Sequence, residues 1–144
     1  MKFRNPKLFA PIAQKIALVL IAVSVILVGA NVFAMFYFDP EKVTQREMEK
    51  ISKDFYENYF YRNYAADLVG NELKEEFDKL REPGFSRVYL RQLLLYDNGK
   101  HADSAKYFNY NGYKCDTNKT YVIFYPDPPY LEKDYHTEYH YDCH

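Results

Sequence analysis

The sequence has no tryptophan, only two cysteines and, over one long stretch, no charge at all. It also lacks a glycine-rich phosphate loop, a G-x-S-x-G elbow and a Walker pattern, which removes the usual nucleotide-binding and acyl-transfer signatures. Ser104 follows Asp103 and His101, but neighbours in sequence say nothing about triad geometry. Nothing therefore points to an enzyme or to a cofactor. The charge balance excludes a further class. Lys2, Arg4, Lys7 and Lys15 are the only charged residues in 1–38, so 39–144 hold 15 basic and 20 acidic groups, a net of −5. Nucleic acid is not an expected partner, because its affinity comes from clustered Lys and Arg that release counterions. No internal repeat or low-complexity linker occurs.

The uncharged stretch runs from Ile16 to Phe38, with only Ser24 and Asn31 clearly polar. Its 23 residues would span about 34 Å as a helix, against a hydrocarbon core of about 30 Å. Small-residue exits at Val28-Gly29-Ala30 and Val32-Phe33-Ala34 fit a cleaved signal peptide. The run is too long for a usual signal core, however, and continues into Tyr37 and Phe38, rings suited to a membrane interface. A retained transmembrane anchor at 16–38 is expected, after a basic segment at 1–15. No cysteine lies in or just after the run, which excludes lipid attachment there. Lys42, Arg46, Lys50 and Lys53 beyond it nearly balance the basic residues before it. The short, purely basic start and the position of both cysteines favour a cytoplasmic N-terminus and an extracytoplasmic C-terminal domain.

The expected fold class is α+β: the anchor, a long amphipathic helical region at 39–82, and an antiparallel β domain at 83–144. Asp39-Pro40-Glu41 is a helix start, with a capping Asp, a first-turn Pro and a Glu at the positive end of the dipole. Met48, Ile51, Phe55, Tyr59, Ala66, Val69, Leu73, Phe77 and Leu80 recur at helical spacing, apart from Arg62. Gly70-Asn71 could split this stripe, but its constant phase predicts one bent helix ended by Pro83-Gly84. Downstream, strands are predicted at 85–96, with Val88, Leu90 and Leu94 on one face, and at 106–114, interrupted by Asn111-Gly112. Asp97-Asn98-Gly99 and 116–119 read as turns, and 120–125 is the clearest strand. In the last segment Tyr135, Thr137, Tyr139, Tyr141 and Cys143 alternate strictly with His136, Glu138, His140, Asp142 and His144, which predicts a half-buried strand with a wet outer face.

Cys115 and Cys143 read as a disulfide in an extracytoplasmic domain. The bond would close a loop of about 28 residues and contribute about 3–4 kcal/mol. His136, Glu138, His140 and His144 are candidate metal ligands. Against them, H-T-E-Y-H is not the zinc-protease H-E-x-x-H, and on a strand His136 and His140 would stand about 13 Å apart. A solvated polar face is the favoured reading. Asp127, Glu132, Asp134 and Glu138 match no EF-hand spacing. Pro126-Asp127-Pro128-Pro129-Tyr130 reads as a stiff loop, and Asn118-Lys119-Thr120 has the form of a glycosylation sequon. Sixteen tyrosines imply phenol hydroxyls that find partners or reach water. Among them Tyr56, Tyr61 and Tyr64, with Phe60, wrap a predicted helix and form a candidate interaction surface.

An apolar helix, an amphipathic helix and a small sheet closed by a C-terminal disulfide together form a layout similar to that of type IV pilins and pseudopilins. The resemblance is one of arrangement only. The stretch Phe9-Ala10-Pro11-Ile12-Ala13-Gln14 supplies neither the leader cleavage site nor the Glu of those families. The expected function is that of a single-pass, membrane-anchored cell-envelope protein whose outer domain binds a protein or a surface polymer. The alternatives are a pilin-like subunit assembling through its apolar helix, and a small envelope metal-binding protein or enzyme using the C-terminal histidines.

Overall fold

The structure, a computed structural model, describes residues 9–80 and 87–144. It divides into two compact units between Asp39 and Pro40. The first unit carries α1 (Phe9–Tyr37), of which Pro11–Tyr37 is long and apolar enough to cross a membrane. Within the uncharged stretch from Ile16 onward, Ser24 and Asn31 bond back onto the helix itself. Ser24 Oγ donates to the Leu20 carbonyl at 2.8 Å and Asn31 Nδ2 to the Leu27 carbonyl at 2.8 Å. Each bond satisfies a polar donor within the helix, which lowers its cost in lipid.

The second unit begins where the Asp39-Pro40-Glu41 signal places it, with α2 (Pro40–Asp54). One face of α2 is buried, including Thr44, Glu47, Met48 and Ile51. Its polar members are tied down: Thr44 Oγ1 donates to the Tyr107 carbonyl at 2.8 Å, and Ser104 Oγ donates to Glu47 at 2.6 Å. Both bonds dock α2 on a 3₁₀ helix, Ala102–Phe108. Ser104 is thus a packing residue bonded to Glu47, and His101 turns to Asp54 instead.

Two helical expectations are corrected. From Phe55 to Ala65 the chain is a π-helix, whose i→i+5 bonding winds more residues into each turn. The buried apolar positions after Ile51 are Tyr56, Phe60 and Ala65, spaced by five, four and five, in place of the predicted Phe55, Tyr59 and Ala66. The helix then stops. Gly70 adopts φ +62°, a left-handed conformation open to glycine, and α3 (Asn71–Lys79) starts after it, burying Leu73 and Phe77. The chain is therefore split at Gly70-Asn71, and Val69 is 76% exposed. The expected end at Pro83-Gly84 lies outside the described residues.

The segment predicted as one strand at 85–96 is two elements. Arg87–Tyr89 is strand β1, and Leu90–Gly99 is α4, broken at Tyr96–Asn98 where Asp97 and Asn98 take positive φ. Gln92 Oε1 accepts the Tyr89 N–H at 2.8 Å and marks the start of α4. Leu90, Leu93 and Leu94 form its buried stripe. The predicted strand at 106–114 is also corrected. Its first residues belong to the 3₁₀ helix, and β2 (Asn109–Tyr110) and β3 (Tyr113–Lys114) make a short hairpin about Asn111-Gly112. Strands β4 (Tyr121–Pro126) and β5 (Tyr135–His140) pair antiparallel as expected, and the main sheet has the order β1-β4-β5. Beyond β5 the chain is held at an isolated bridge by the Cys115–Cys143 disulfide, with Lys114 and His144 exchanging backbone hydrogen bonds at 2.9 and 3.0 Å.

The core fills the space between the helices and the inner sheet face. Val122 and Phe124 of β4 are fully buried, and Tyr56 stacks on Tyr135 with ring centroids 3.9 Å apart. Core tyrosines reach polar partners at its edge: Tyr135 Oη donates to Glu57 at 3.2 Å, and Tyr96 Oη donates to Asp54. Tyr56 and Phe60 belong to this core, so the candidate surface is corrected. Of its four members only Tyr61 and Tyr64 reach solvent.

Candidate functional site

The alternation of β4 and β5 turns one set of side chains into the core and another outward. Strand pairing arranges the outward set in rows. Tyr89, Tyr121 and His140 lie side by side across all three strands; Arg87, Ile123 and Glu138 form the next row; Tyr125 and His136 form the third. His140 stacks on Tyr121 at 4.8 Å between centroids, and His136 on Tyr125 at 4.9 Å. Tyr89 meets Tyr121 edge-on at 5.7 Å, and the Arg87 guanidinium lies 4.7 Å above the Tyr121 ring. Tyr125 Oη donates to Glu138 at 3.1 Å, and His136 Nδ1 lies 3.4 Å from Asp127. The face thus presents ring edges, phenol hydroxyls, imidazoles and one exposed guanidinium, with Ile123 its one aliphatic side chain.

Beside Tyr89 the surface dips into an open cavity of about 380 Å³, lined by Tyr89, Arg91, Gln92 and Asn118. Tyr89 therefore belongs both to the cavity wall and to the first cross-strand row. A second open cavity of about 330 Å³ lies at the disulfide, between Lys114–Thr117 and His144.

The expected metal candidates do not converge. His136 and His140 stack on different tyrosines in rows four residues apart, and Glu138 accepts from Tyr125. Among the described residues no group of three or more His, Cys, Asp or Glu is placed to hold an ion.

A different polar cluster, not foreseen in the sequence, gathers at the end of α2. Asp54 accepts from Tyr96, from Lys100 at 2.8 Å, from His101 at 2.9 Å and from Asn58 at 3.0 Å. Partial burial alone pushes the Asp54 carboxyl up, but the hydrogen bonds from Lys100, Tyr96, His101 and Asn58 outweigh it and hold the group well below the usual carboxylate range. Burial, then the Asp54 charge, push the Tyr96 phenol far up. The cluster ties α2 to α4 and to the turn after it. Its signature in sequence is faint, because Asp54 lies more than forty positions from Tyr96 and His101.

The sign of its pH effect follows. A carboxyl whose folded value lies below its unfolded value, about 3.9, stabilises above that unfolded value and loses the contribution as pH falls through the folded one. Wild-type protein is expected to lose more stability between about pH 5 and 2 than Asp54→Asn, as read by urea unfolding at each pH. Parallel acid profiles for the two proteins would contradict the assignment.

Comparison with protein-family models, with curated proteins and with solved structures returned no match.

Proposed function

We propose that the chain is a single-pass, membrane-anchored protein of the cell envelope. Its domain at 40–144 lies outside the cytoplasm and binds an envelope partner through the outer face of the sheet. The anchor is supported by a long apolar helix in which Ser24 and Asn31 bond to its own backbone. The location is supported by the cysteine pair, since disulfides persist in oxidising compartments. The binding role is carried by one observation: three cross-strand rows of Tyr, His, Arg and Glu stand outward around a single aliphatic residue, Ile123. Enzymatic chemistry has no comparable support, because the Asp54 and Glu47 carboxylates are both engaged in docking helices.

Two steps test this reading. The full-length protein is expected to stay in the membrane pellet after an alkaline carbonate wash. Detergent-solubilised protein is then expected to be retained on envelope fragments from its own cells, and Tyr121→Ser with His140→Ser is expected to reduce that retention at least several-fold. Release by carbonate would overturn the anchor, and unchanged retention would overturn the sheet face. Ordered homo-oligomers after crosslinking in intact membranes would favour the polymerising subunit instead.

A further inference from the structure

Resting on the sheet face being a binding surface, we infer that its ligand is a polysaccharide bearing carboxylate groups, with one carboxylate held by Arg91 in the cavity beside Tyr89.

Size decides first between a protein and a narrow polymer. Two six-residue strands and the three-residue β1, about 4.8 Å apart, present about 240 Å². A stable protein interface needs about 800 Å² on each partner and an apolar centre. The face alone is too small for that, and it has only Ile123 as an aliphatic contact. Sheet faces of similar scale hold oligosaccharides on small β-barrels. Phenol hydroxyls and imidazoles both donate and accept, which matches the mixed hydrogen bonding of sugar hydroxyls.

Charge then selects the sugar. Among the described residues Arg91 is the one charged side chain lining the cavity, and a guanidinium is shaped to take a single carboxylate through two parallel bonds. Gln92 already spends its carbonyl oxygen on the Tyr89 N–H, so its remaining half is a donor. Asn118 supplies a second amide. The nearby Lys119 is engaged by Asp116 at 3.7 Å and Asp142 at 3.6 Å. One cation among neutral donors fits an isolated carboxylate flanked by hydroxyls. A densely phosphorylated polymer would need clustered cations, which a region of net charge −5 does not offer. The cavity volume, about 380 Å³, lies within the range of small-ligand sites, and the cavity opens onto the Tyr89-Tyr121-His140 row along which a chain would continue.

The test uses full-length protein in detergent and three carboxylated probes: hexagalacturonate, a hyaluronan hexasaccharide and a sialylated oligosaccharide, each beside its methyl ester. Titration calorimetry is expected to show binding of at least one acid, with its ester about tenfold weaker or more. Arg91→Gln is expected to abolish that preference, while Tyr121→Ser weakens acid and ester alike. Arg91 is exposed, and an intact Cys115–Cys143 bond in each variant checks its fold. Failure of all three acids to bind, or equal binding of acid and ester, would overturn the inference. Equal binding that is lost in Tyr121→Ser would leave the sheet face standing as a sugar-binding surface and remove only the carboxylate.

Discussion

Replacing Tyr56 with alanine is expected to destabilise the domain by about 3–5 kcal/mol, whereas Tyr64→Ala should change stability by about 0.5 kcal/mol. Both residues lie in one aromatic run and both are tyrosines. They differ in where the π-helix puts them. Tyr56 is fully buried and meets Phe60, Phe77, Phe124 and Tyr135, and its loss opens a cavity between the helices and β4. Tyr64 is 51% exposed and loses little when truncated. A cost of several kcal/mol is a large part of the 5–15 kcal/mol typical of a folded domain. Urea unfolding of the two variants checks the difference, and an equal effect at both positions would contradict the winding of 55–65.

Removing the disulfide is the second large effect. Cys115→Ala with Cys143→Ala should cost about 3–4 kcal/mol in the chain-entropy view, because the bond closes a loop of 28 residues in the unfolded chain. Cys115 is buried, and the bond holds the last residues against Lys114 and Asp116 through three backbone hydrogen bonds. Hydrogen exchange should therefore rise first at the amides that donate these bonds, those of Lys114, Asp116 and His144. A loss of under about 1 kcal/mol, with those amides still protected, would show that the closing hairpin stands without the bond.

Much of this architecture was readable from residue order. The charge-free run, the Asp39-Pro40 start, the strand ending at Pro126 and the alternation of 135–140 each carry a local signal that packing then reinforces. The cysteine pair was legible because only one pairing exists. Three features were hidden for physical reasons. The π-helix escapes a search at 3.6 residues per turn, although the five-four-five spacing of Ile51, Tyr56, Phe60 and Ala65 records it. The start of α4 was obscured because Val88 belongs to a strand while Leu90, Leu93 and Leu94 belong to a helix, so one window across both blurs two periods. The candidate face depends on which strands are neighbours. Arg87 and Tyr89 were visible on one face of a strand, but their meeting with Tyr121 and His140 is a matter of long-range register. The metal reading of the histidines looked within one segment for partners that pairing supplies from another, Tyr121 and Tyr125.

The central claim is that the apolar helix holds an oxidised domain on the outer side of a membrane. Intact cells treated with a membrane-impermeant maleimide, with and without an impermeant reductant, test it most directly. The account predicts no labelling of Cys115 or Cys143 before reduction and labelling of both after it, without lysis. Labelling that needs lysis but no reductant would contradict it.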